Sequence, residues 1–118
     1  MVIIEKEKEK IVFDLTGFTQ LLALKNKMSI PIKHIKSVYQ NEKYLENWSG
    51  TKVVGTHIPG GLRAGTFSRN SMQYFWAAKN IKNALIIDLS DESFEQLIIE
   101  VENPQECMDL IDQAIEYI

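Results

Sequence analysis

Residues 55–67, GTHIPGGLRAGTF, hold the densest set of residues able to do chemistry: four glycines and Pro59 surround His57 and Arg63. A segment of this kind can cradle a phosphate, form a lid, or turn the corner of a sheet. The phosphate loop of nucleotide hydrolases needs four residues between two glycines, then Lys and Ser or Thr. Gly55 and Gly60 have that spacing, but Gly61 and Leu62 stand where the Lys and the hydroxyl belong. The dinucleotide pattern fails at Leu62, and neither stretch opens a helix whose N-terminus could face an anion. The glycines are therefore structural. Pro59-Gly60 reads as a turn with positive φ at Gly60, and Gly65 marks where a coiled strand bends. His57 and Arg63 remain as a pair suited to a small anion or metabolite, or to a minor enzymatic activity, with no nucleophile beside them.

Other reactive residues point away from catalysis. His34 and His57 are the only histidines and Cys107 the only cysteine, so neither a metal site of three or four ligands nor an internal disulfide is expected. None of the serines sits in a nucleophile elbow. Cys107 falls on the apolar stripe of the last helix and reads as packed. Tyr74, Phe75 and Trp76 share one strand and must point to both faces, leaving part of the trio for a partner or the terminal helix. Trp48, in the least regular stretch (residues 40–54), reads as an exposed aromatic anchor. The chain is thus expected to be a non-enzyme without cofactor, with Trp48, His57 and Arg63 as binding candidates.

The elements that must position these residues come from a single domain of 118 residues with 45% apolar and 25% charged content. The net charge of −3 is uneven: lysines outnumber acids up to Lys43, whereas the residues from Asn83 onward carry acids and no Lys or Arg. That acidic third argues against nucleic acid as a partner. The N-terminal MVIIEKEKEK lacks the apolar core of a signal peptide, and with no membrane-length apolar run the expected location is the cytoplasm.

Val2-Ile3-Ile4 and Lys10-Ile11-Val12-Phe13 predict a hairpin whose Glu and Lys side chains face one another across the strands. FTQLLALKNK after Thr16-Gly17 predicts a short amphipathic helix. MSIPIKHIKSVYQ reads as a strand whose Pro31 demands an edge or bulge. LRAGTFS, MQYFWAAK, ALIIDLS and FEQLIIEVE read as strands, spaced too closely for parallel crossovers almost anywhere. Asn103, Pro104 and Glu106 start a final helix with a capping box, whose stripe is Cys107, Met108, Ile111, Ala114, Ile115 and Ile118.

In this order, IPIKHIKSV, GTHIPGGLRAGTF, the Phe-Trp pair, ALIIDL and FEQLIIEVENP resemble a bacterial family of pleckstrin-homology-like (PH-like) domains. The resemblance runs over nearly the whole chain. It implies a mainly β fold: a bent antiparallel barrel or sandwich of about seven strands, with the C-terminal helix plugging one end. Ala77-Ala78 replace the Asp-Val-type pair usual after the Phe-Trp. Relatives of this fold that bind inositol phosphates use spaced Lys and Arg in the first hairpin. Here Lys6, Lys8 and Lys10 each adjoin a glutamate, which counts against phosphoinositide or membrane binding. The expected role is a non-catalytic interaction module, with a protein partner or self-association into a homo-oligomer.

Overall fold

The computed structural model describes residues 1–18 and 27–117. The first two β-prone runs pair as a hairpin of β1 (Ile3–Glu7) and β2 (Lys10–Asp14), with Ile4 opposite Phe13 and Lys6 opposite Ile11. Only Glu7 and Lys10 face each other as opposite charges, because Ile11 and Val12 occupy the next positions of β2. β3 (Lys27–Pro31) joins the far side of β2 and completes a three-stranded sheet in the order β1-β2-β3. Pro31, which has no N–H to give, ends this edge strand, as its chemistry requires. The helix expected after Thr16-Gly17 lies mostly outside the described residues; Thr16–Phe18 form a single 3-10 turn.

A second 3-10 turn, Ile32–His34, carries the chain from one sheet to the other. The run that reads as one strand is therefore two, β3 and β4 (Ile35–Tyr39), in different sheets. The stretch expected to be irregular contains a short helix, α1 (Glu42–Glu46), capped by the Asn41 side chain, and then β5 (Thr51–His57). β6 (Arg63–Arg69), β7 (Met72–Ala78), β8 (Ala84–Leu89) and β9 (Phe94–Glu100) follow. The six-stranded sheet has the order β4-β8-β9-β7-β6-β5, giving nine strands among the described residues. All pairings are antiparallel except β7 with β9. β8 lies beyond β9, so the chain steps past a slot that β9 then fills. The connection over residues 79–93 is long enough for that parallel pair because it contains β8 itself.

The central strands of the large sheet, β7, β8 and β9, are buried on both faces. Phe75 and Ala77 of β7, Leu85 and Ile87 of β8, and Leu97 and Ile99 of β9 join the main core against the small sheet. Their neighbours Tyr74, Trp76, Ile86 and Ile98 form a second core under Leu45 and Trp48. Double-sided burial explains why ALIIDL and LIIEV read as continuous apolar runs. All three of Tyr74, Phe75 and Trp76 are buried, so none remains for a partner.

The final helix, α2 (Pro104–Glu116), closes the main core. Ile111 and Ala114 are buried, and Cys107, Met108, Leu110 and Ile115 pack against the same cluster. Asn103 is the N-cap and Pro104 opens the helix, but the Asn103 side chain makes no capping bond, so the capping box does not form. Ile118 lies outside the described residues.

Candidate functional site

Bent backbone builds the site. At the β5–β6 hairpin, Gly55 faces Gly65, with φ of 132° and 127°, a region that side chains avoid. A Cβ on Gly55 would strike the Ala64 carbonyl, and one on Gly65 the Val54 carbonyl. The two glycines thus let the strands approach and coil. The loop is a type II turn: Gly60, at the third position, has φ 77°, and the Gly61 N–H donates to the Ile58 carbonyl at 2.9 Å. It is a sheet corner, and no helix opens there.

This hairpin sets His57 opposite Arg63. Arg63 Nη2 lies 3.3 Å from His57 Nε2, and the guanidinium stacks on Trp76 (4.5 Å), Trp48 (5.1 Å) and Phe67 (5.5 Å). The three residues singled out from the sequence are therefore neighbours. Trp48, however, is not an exposed anchor. It is 4% accessible, roofing the second core with edge contacts to Phe67, Tyr74 and Trp76. α1 turns the loop back onto the sheet, and the polar look of residues 40–54 conceals that role.

Desolvation, reinforced by the Arg63 and Lys52 charges, holds His57 below the usual imidazole range, so near neutral pH it is uncharged and its Nε2 accepts a hydrogen bond from Arg63 Nη2. Burial likewise lowers the Arg63 pKa. A cavity of about 220 Å³ opens beside the pair, with Leu45, Glu46, Trp76 and Lys79 in its wall. The indole N–H groups of Trp48 and Trp76 are buried without a partner among the described residues. The arrangement brings hydrogen-bond donors and two cationic side chains, Arg63 and Lys79, to one cavity. Among the described residues no group of His, Cys, Asp and Glu is placed to hold a metal ion.

Sequence reasoning missed a polar network on the same face. Arg69 Nη2 donates to the Tyr44 hydroxyl (2.8 Å), which donates to Gln96 Oε1 (2.8 Å). Gln96 Nε2 then reaches Asp88 Oδ1 (2.8 Å), which also accepts from Tyr39, while Ser37 donates to Oδ2. Burial, with the Asp88 charge, pushes the Tyr39 phenol up to about 12. The available signal was a polar residue interrupting each apolar run, Asp88 in β8 and Gln96 in β9. Glu100, 5% accessible, accepts from the backbone N–H groups of Lys79 (2.8 Å) and Asn80 (3.3 Å) and so fixes the turn after β7.

Two other side chains lie away from this face. His34, at the end of the 3-10 turn, pairs with Glu92 at 2.6 Å. Cys107 is half-buried, and burial followed by the Glu106 charge raises its thiol pKa, which disfavours the reactive thiolate. Among the described residues no helix is long and apolar enough to cross a membrane. Comparison with family models, curated proteins and solved structures yields no match.

Proposed function

We propose that this chain is a non-catalytic interaction module on a PH-like scaffold of bacterial type, working in the cytoplasm and pairing with a second copy of itself through β5. The observation that carries this reading is the state of β5. It ends the six-stranded sheet and pairs with β6 alone among the described strands, yet it is open and carries two exposed apolar side chains, Val53 at 54% and Val54 at 43%. A bulge between Lys52 and Val54 places these two valines in succession on the open surface, and Ile58 beyond them is also exposed. Unpaired strand edges template further pairing.

Charge favours a second copy as the occupant. An antiparallel pair of β5 strands about a two-fold axis at Val54 sets Lys52 opposite Thr56 and Thr51 opposite His57, so no like charges meet. Lys52 and the bulge are features that limit indiscriminate edge pairing, and this register accommodates both. The β-rich sandwich closed by α2 supports the PH-like scaffold. The lone, half-buried cysteine supports a reducing compartment.

Light scattering over a wide concentration range tests the pairing. The wild-type chain is expected to shift from monomer to dimer, and Val54→Lys, which sets two ammonium groups face to face, is expected to remain monomeric while folded. A wild-type monomer throughout, or unchanged dimerisation of Val54→Lys, refutes the reading.

A further inference from the structure

We propose that the cavity between α1, the residue 58–61 turn and the end of β7 binds one small oxyanion, a carboxylate or a phosphate-like group, through Arg63, His57 and Lys79. The cavity's volume, about 220 Å³, is room for one oxyanion head with a few attached atoms.

Arg63 supplies the main argument. Its guanidinium is partly buried, yet it makes no ion pair with a carboxylate among the described residues, where the one ion pair is His34 with Glu92. A cation drawn partly out of water favours an anionic partner. Cation–π contacts with Trp76, Trp48 and Phe67 hold the guanidinium in place without supplying a negative charge. The hydrogen bond to His57 holds Arg63 beside the cavity when it is empty, and an oxyanion replaces His57 as the acceptor of that guanidinium N–H. Trp76 lines the same cavity, and its indole N–H is buried without a partner among the described residues. Lys79 adds a second cation, and Glu46 is the one acid in the wall.

The groups around His57 define the pH response. Lys52 on its own strand and Arg63 on β6 oppose its protonation, while Lys79 after β7 and Glu46, the last residue of α1, line the same cavity. An oxyanion in the cavity offsets the three cations, so binding takes up a proton at His57 and strengthens as pH falls from 8 to 6.

The indole region of ¹⁵N–¹H spectra, with one signal from Trp48 and one from Trp76, reads the site directly. Titration uses sulfate, whose charge is constant over this pH range, for the tetrahedral class and acetate for carboxylates. A saturable shift of the Trp76 signal with at least one anion is expected, and which anion binds more tightly identifies the class. Arg63→Gln is expected to weaken binding about tenfold or more, the loss of one charge-assisted hydrogen bond. His57→Gln is expected to remove the pH dependence, Glu46→Gln to strengthen binding, and Lys10→Gln at the distant hairpin tip to change nothing. Should Arg63→Gln fail to fold, Lys79→Gln, at an exposed position, tests the same charge. Absence of a saturable shift with both anions, or binding unaltered by these cavity variants, overturns the proposal. An intact dimer in that case would leave the strand-pairing reading standing, since Val54 is outside the cavity wall.

Discussion

Replacing Trp48 by Ala separates a core tryptophan from a surface anchor. The side chain is 4% accessible and touches three aromatic rings with centroids between 5.3 and 6.2 Å. Truncating such a residue costs about 3–5 kcal/mol. The guanidinium groups of Arg63 (5.1 Å) and Arg69 (4.9 Å) also lose a stacking surface, about 0.5–1 kcal/mol each. In the other direction, the buried Nε1–H has no partner, and removing it recovers about 1–3 kcal/mol. The net expectation is a loss of about 3 kcal/mol, a large part of the roughly 5–15 kcal/mol that holds a domain folded. In a urea titration this lowers the midpoint by roughly 1–3 M. Trp48→Phe keeps most of the ring and discards the unpartnered N–H, so it is expected to stay within about 1 kcal/mol of wild type. A loss below about 0.5 kcal/mol for Trp48→Ala, as at an exposed position, would refute the second core.

The glycines predict a ranking: Gly65→Ala is expected to destabilise by more than about 2 kcal/mol, since its Cβ meets the Val54 carbonyl, whereas Gly60→Ala, with open space around it, costs only the left-handed backbone, about 1 kcal/mol. Chemical denaturation of the two variants checks the order. Glu100→Ala leaves the Lys79 and Asn80 N–H groups unpaired and is expected to cost about 2–4 kcal/mol, with faster amide exchange at both positions. Because the folded-state pKa of His57 is lowered, the unfolded chain takes up its proton first; stability therefore falls as pH drops below about 6.5 and levels off beneath the folded pKa. NMR titration is expected to show Arg63→Gln moving the His57 pKa upward.

What the sequence disclosed followed from local chemistry. Pro59-Gly60 specified its turn because only glycine takes that φ without strain, and the spacing from Cys107 to Ile115 specified the face by which α2 covers the core. Pro31 announced an edge. Facts about the second face of a sheet were hidden. A buried Trp48 and an exposed one have the same local pattern, since what buries it is the arrival of Phe67, Tyr74 and Trp76 from other strands. The parallel pairing of β7 and β9 was likewise invisible, because spacing between neighbours says nothing about which slot a strand enters. His57 and Arg63 were legible as a pair because the hairpin that joins them is short; Asp88, Gln96, Tyr44 and Arg69 were not, because separate elements supply them.

Backbone amide exchange over residues 51–57, compared between dilute and concentrated samples, tests most directly whether β5 is a pairing surface. Added protection confined to this strand at high concentration, and absent in Val54→Lys, is the expected result. Equal exchange at both concentrations would contradict it.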